Sequence, residues 1–250
     1  MWAMPTQQTV LLVGATGRTG RRALQQLLDR GINVRAIVRS GKRLPPEVVG
    51  KPNLTVIEAD LLSLPPKDLQ QHLAGCDAVI SCLGHNISLK GVFGPPHKLV
   101  TKAVKHLCQG IEALKPPAPV KFILMSSVSV NRPNRLDTRR GSFERVFLWL
   151  LCNVLPPAKD NQQAADFLIK KIGQNNAFIQ WVAVRPDSLL EGEVSEYSLH
   201  EGLVDSLFKP GSTNMANVAH VMCELVVNPK MWADWKGKLP VVVNTPKKTA

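Results

Sequence analysis

The stretch from Thr9 to Gly20, T-V-L-L-V-G-A-T-G-R-T-G, constrains the fold of this chain more than any other. Val10, Leu11, Leu12 and Val13 form an apolar run of strand length. Gly14, Gly17 and Gly20 follow at three-residue spacing. Ala23, Leu24, Leu27 and Leu28 then recur with the period of a helix face. The segment therefore predicts a buried strand, a glycine turn and a helix. Glycines let the backbone approach a ligand closely, and a helix N-terminus turns free N–H groups toward negative charge. Together they make a site for the pyrophosphate of a dinucleotide. Three glycines alone would suit any tight strand-to-helix turn, and their place between the two elements gives them weight.

The alternation continues along the chain. Gly31 closes the helix, and Ile32 to Val38 is a second strand ending at Arg39 and S-G-K-R. In an NAD site an acidic residue here holds the ribose hydroxyls, whereas a basic one accommodates the 2′-phosphate of NADP. Arg39, with Lys42 or Arg43 nearby, predicts NADP, against the competing reading of a solvated arginine. The third strand, Leu54 to Ala59, ends at Asp60-Leu61, where the aspartate reaches an adenine edge, caps the next helical turn, or does both. A short helix from Asp68 to Leu73 precedes the fourth strand, Asp77 to Leu83, with Gly84 beyond it. Small residues at that strand end would wall a cofactor crevice. A loop over 84–96 leads to a helix from His97 to Leu114 and a fifth strand from Val120 to Met125. Ser126 and Ser127 come after it, with hydroxyls that either face a nicotinamide ring or serve a turn.

The arginine-rich stretch 131–141 is expected either to be disordered or to close over an anionic ligand. The strongly apolar stretch 142–155 reads as a core or dimer-face helix. A helix over 160–172, a sixth strand over 178–184, an irregular stretch over 191–210, a helix over 214–227 and a short strand over 239–243 complete the chain. Strands alternating with helices predict an α/β, Rossmann-type fold: a doubly wound, mainly parallel sheet with helices on both faces. One domain over 1–250 is expected, with residues from about 186 onward forming a small C-terminal lobe on the substrate side.

The formal charge is +12, from 31 Lys+Arg and 19 Asp+Glu. The basic residues are scattered, without a tail or an aromatic-interleaved stripe, which argues against a specific nucleic-acid partner. Five cysteines in no regular spacing fit reduced, buried thiols and a cytoplasmic protein. The first eight residues are polar and short, unlike a secretory signal, and no apolar run is long enough to span a bilayer. The histidines show no metal-ligand spacing, so no metal is expected. No G-x-S-x-G elbow occurs, which argues against a hydrolase.

Several motifs carry a family resemblance: G-A-T-G-R-T-G at 14–20, A-D-L-L at 59–62, D-A-V-I-S-C-L-G at 77–84, F-I-L-M-S-S at 122–127, W-V-A-V-R-P at 181–186 and N-V-A-H-V-M at 217–222. With Arg39, they resemble the atypical short-chain dehydrogenase/reductases, in particular the NmrA-like and flavin-reductase-like branch. The resemblance implies that Gly14, Thr16, Gly17, Arg18, Thr19 and Gly20 hold the pyrophosphate. Arg39, supported by Arg43, would take the 2′-phosphate, and Asp60 with Leu61 the adenine. Cys82, Leu83 and Gly84 would flank the ribose, with Ser126, Ser127 and Pro186 on the nicotinamide side.

Typical members also carry a Tyr-x-x-x-Lys pair on the helix after the fifth strand. Here the single tyrosine is Tyr197, beyond the sixth strand, and the residue four before Lys159 is Leu155. Candidate catalytic groups are therefore Ser127 and Asp160, the latter either a proton relay or the N-cap of the helix over 161–172. The resemblance implies a reductase passing hydride from NADPH to a flavin, a quinone or a similar planar acceptor, the acceptor being the small-molecule partner. The alternative is a non-catalytic NADP-binding sensor, regulator or assembly factor. The assembly is expected to be a monomer or homodimer.

Overall fold

The computed structural model describes residues 7–85, 98–132, 137, 141, 143–144, 146–147, 156–206 and 211–245. Six parallel strands form its centre: β1 (Thr9–Val13), β2 (Asn33–Val38), β3 (Leu54–Glu58), β4 (Ala78–Ser81), β5 (Val120–Met125) and β6 (Ile179–Pro186). Their order is β3-β2-β1-β4-β5-β6. The chain builds outward from β1 in one direction and then restarts at β4 in the other. Such a reversal leaves a crevice beyond the strand C-termini, because successive crossovers leave to opposite sides.

The two faces follow from strand periodicity. Val10 and Leu12 of β1 enter one apolar cluster, with Ala23, Leu24 and Leu27 of α1 (Arg18–Asp29). Leu11 and Val13 enter the other, with Leu69 of α2 (Pro66–Leu73), Val100 and Val104 of α3 (Leu99–Leu114) and Ala164 of α4 (Pro156–Phe167). A run without polar alternation is what a strand covered on both sides needs. The sheet is thus the α/β, doubly wound, mainly parallel one that the sequence predicts.

The C-terminal third differs from expectation in detail. β7 (Ser188–Leu190) pairs with β9 (Ser212–Asn214) in a small ribbon. β8 (Tyr197–His200) falls inside the stretch read as irregular and pairs antiparallel with β10 (Val241–Asn244). β10 itself lies parallel to β6, so the main sheet has eight strands. The last strand begins at Val241 rather than at 239. Lys238 and Pro240 offer carbonyls to Ala183 and Arg185 of β6, but Pro240 has no N–H to continue a ladder. α5 (Met215–Val227) packs on the α1 face, and α6 (Pro229–Trp235) is an additional helix opened by the Asn228 side chain, which accepts from Met231 N–H.

Residues 86–97 and most of 133–155 lie outside the described residues, and with them His97, Cys152 and much of the loop and apolar-helix expectations. Phe143, Val146 and Phe147 are described as helical and exposed, so the core reading of 142–155 does not hold for them. Asp137 is described and buried. Its carboxylate takes the Arg132 main-chain N–H at 2.8 Å and the guanidinium of the fully buried Arg185 at 3.0 Å.

Candidate functional site

The crevice beyond the strand ends is a cleft of about 200 Å³. Its floor is the glycine turn. Gly14 has φ +80°, the left-handed region that side chains resist, and a Cβ there would lie 2.6 Å from the main-chain carbon of Cys82. A Cβ on Gly20 would lie 2.1 Å from the Gly14 oxygen. The first glycine lets the turn press against the end of β4, and the third lets α1 sit down on the turn. Gly17 is the N-cap of α1, with no side-chain cap and no acidic residue in the first turn. The first N–H groups of α1 therefore lack side-chain acceptors and favour an anion.

Gly14, Thr16 and Gly17 line the cleft, joined by Arg39 and Arg43 at the end of β2. The basic loop is held by Glu58, whose carboxylate accepts the Gly41 N–H at 2.8 Å. Among the described residues neither Arg39 nor Arg43 has an ion-pair partner, whereas Arg18, Arg22, Arg30, Arg132 and Arg185 are all paired. Asp60 and Leu61 line the same end, and Asp60 also accepts the Leu62 N–H at 3.1 Å, so the capping role and the lining position coexist. On the other side Cys82, Leu83 and Gly84 line the cleft, together with Leu99 at the start of α3.

Other sequence candidates stand apart from this lining. The Arg18 side chain turns to Glu191 (Nη2 to Oε1 2.9 Å), which also pairs with Arg22. Only the main chain of Arg18 remains at the helix N-terminus. Thr19 and Gly20 are buried behind the turn. Pro186 is buried at the end of β6. Ser126 is buried with its Oγ unpartnered, while Ser127 Oγ accepts the Ser129 N–H at 3.2 Å, a turn role.

Asp160 is not the N-cap of the helix over 161–172. That helix begins at Pro156, and Asp160 lies within it, facing inward. Its carboxylate instead receives the N–H groups of Val100 and Thr101, capping α3 from another helix. Sequence reasoning also missed two partners. Glu191 gave no signal, since its arginines lie about 170 residues earlier. His85 follows the motif ending in Gly84 directly, and a lone histidine after a strand gives no sign of its partner; the structure sets it 2.8 Å from Asp160.

The described cysteines are poor nucleophiles. Burial pushes the Cys76 thiol up to about 11 and Cys223 to about 12, and drives Cys82 and Cys108 higher still. Tyr197 is committed to His220 Nδ1 at 2.8 Å and lies outside the cleft lining. No metal-holding cluster occurs among the described residues, and none of the described helices is long and apolar enough to cross a membrane.

Comparison with known proteins agrees with this geometry. The model of a family described as NAD(P)H-binding matches residues 14–229. An uncharacterized chloroplast protein of Arabidopsis thaliana is 27% identical over 216 residues, covering 82% of this chain and 73% of its own length. The Arabidopsis chloroplast protein TIC 62 is 25% identical over 244 residues; the match covers 90% of this chain but 34% of TIC 62. A candidate NADH-flavin reductase from Streptococcus pneumoniae superposes with a TM-score of 0.67 at 20% identity, covering 95% of this chain and 100% of that one. A short-chain dehydrogenase/reductase from Veillonella parvula, solved with NADP, gives 0.65 at 16% identity and covers 97% of each chain. At these identities the structures speak to the fold. With the family match running from the glycine turn through α5, this chain belongs to the NAD(P)H-binding family and has the architecture of an atypical short-chain dehydrogenase/reductase.

Proposed function

We propose that this protein is an NADPH-dependent reductase that passes hydride to a flavin, a quinone or a similar planar acceptor. The observation that carries the cofactor preference is a pair of guanidiniums, Arg39 and Arg43, lining the β2 end of the cleft without an ion-pair partner among the described residues. A planar guanidinium matches a phosphate, and a carboxylate at this strand end would repel one. The acceptor class draws support from the family resemblance and from the S. pneumoniae neighbour described as a candidate NADH-flavin reductase.

The residues present fit the cofactor. The close approach of Gly14 to β4 leaves room for a pyrophosphate over the turn, where the N–H groups at the start of α1 meet it. Asp60 and Leu61 face the adenine end. Cys82, Leu83 and Gly84 line the cleft where the ribose would lie. Ser126, with its unpartnered buried hydroxyl, and Pro186 stand at the ends of the next two strands, toward the nicotinamide. Bound NADPH would supply the hydride. The protein's part would be to hold both planar partners at reacting distance.

Calorimetry with Arg39→Asp tests the preference. A lost charge-assisted phosphate contact costs about 1.5–3 kcal/mol. NADPH affinity should therefore fall by roughly 10–150-fold, with NADH less affected. Unchanged NADPH affinity removes the preference. NADPH oxidation against free flavins and quinones tests the chemistry; tight binding without turnover by any of them would make the chain a dinucleotide sensor instead.

A further inference from the structure

The chain leaves β4 through Cys82, Leu83 and Gly84, and the next residue is His85. The His85 side chain is 6% exposed, and its Nε2 lies 2.8 Å from Oδ2 of Asp160. Asp160 comes from α4 and is 1% exposed. The same carboxylate accepts the Val100 N–H at 2.8 Å and the Thr101 N–H at 2.9 Å, and Thr101 Oγ1 donates back to the Asp160 carbonyl at 3.0 Å. Capping α3 needs only the two N–H contacts. The imidazole is an addition to the cap, drawn from a third segment. Among the described residues Nδ1 of His85 has no hydrogen-bond partner.

His85 and Val100 each stand one residue beyond a residue that lines the cleft, Gly84 and Leu99. They are at the β4 side, away from the basic end at Arg39. With the 2′-phosphate at Arg39 and the pyrophosphate over the glycine turn, the nicotinamide half would run past the β4 end toward β5 and β6. α4 lies between β5 and β6, the region where typical short-chain dehydrogenase/reductases carry the tyrosine; here it contributes a buried carboxylate.

We infer that His85 is the proton donor to the acceptor and that Asp160 is its positioning residue. The inference rests on the reductase reading above. A carboxylate on one ring nitrogen fixes the tautomer and the orientation of an imidazole, leaving the other nitrogen to exchange a proton. With Nε2–H held on Asp160, the doubly protonated ring gives its Nδ1 proton to an oxygen or nitrogen of the acceptor and is left neutral. The acceptor takes a hydride, two electrons and one hydrogen nucleus, from NADPH, which leaves as NADP⁺. The Nδ1–H bond breaks as the new O–H or N–H bond forms, and solvent returns a proton to the neutral ring.

Two measurements test this. The first uses no turnover: ring-nitrogen NMR of the protein with NADP⁺ and an oxidised quinone. The His85 signals should move when the quinone is added, and Asp160→Asn should change their starting positions. The second is kinetic. His85→Gln should lower kcat with a quinone about 10²–10⁴-fold while leaving the NADPH Kd unchanged, and added imidazole should restore part of the rate to His85→Ala. An undiminished kcat in His85→Gln, or His85 signals indifferent to quinone, overturns the assignment and leaves the reductase standing. A wild-type protein inert toward every flavin and quinone overturns both.

Discussion

Gly14 shows how much one missing side chain decides. Its backbone sits at φ +80°, and its α-carbon lies so close to the end of β4 that any Cβ would enter the Cys82 carbonyl group. Gly14→Ala carries both penalties. The left-handed conformation alone costs about 1–3 kcal/mol for a non-glycine residue, and relief of the clash must push the turn away from β4. Urea denaturation should show at least that loss, and calorimetry should show NADPH affinity reduced about tenfold or more, one decade per 1.4 kcal/mol. A variant of unchanged affinity would mean that the turn is not the cofactor floor. This residue was legible because its requirement is local: a strand, a turn and the start of a helix follow one another directly in the sequence. The place of Arg39 in the cleft lining was legible for the same reason, since it sits at a strand end whose position is set by the preceding helix. Asp160 was not. Its local sequence offers a good cap, but the N–H groups it caps belong to α3, some 60 positions earlier.

Elements meet through a few buried charges. Asp137 ties the stretch after β5 to β6. Burial alone would push its carboxyl up, but the field of Arg185 and the hydrogen bonds from Arg132 and Arg185 outweigh it and hold the group below the usual carboxylate range. The folded protein therefore binds this proton less readily than the unfolded chain, whose aspartates titrate near about 3.9. The stability from Asp137 is full above that value and is lost as pH falls through the lower folded value. Asp137→Asn should flatten the acid limb of the stability curve in that window. At neutral pH it should cost about 3–5 kcal/mol, because Arg185 would stay buried and unpaired. Chemical denaturation at several pH values reads both effects. Nothing in R-P-D announced this: an arginine after a strand reads as a surface group until a partner from a distant loop is seen. The strands and helices themselves were more legible, because apolar runs and helical periods are local patterns. β8 was missed because Y-S-L-H is a weak strand in isolation and its partner, β10, lies beyond an entire helix pair.

At the scale of the whole molecule, the cofactor should act as a structural part. A ligand bound only by the folded state at about a hundred times its Kd adds about 2.7 kcal/mol. In a chain of this size that raises Tm by roughly 5–10 °C. NADPH should produce such a shift, and NADH at equal concentration a smaller one; equal shifts would remove the preference argued from Arg39 and Arg43. The sheet order has a consequence for synthesis as well. β10 lies between β6 and β8, so β8 emerges from the ribosome about 40 residues before its partner β10. Until Val241 to Asn244 arrive, β6 presents an open edge to other nascent chains. β10 thus works as a closing stitch between two strands made before it, and until it is made β6 and β8 are both open to pairing with a neighbour.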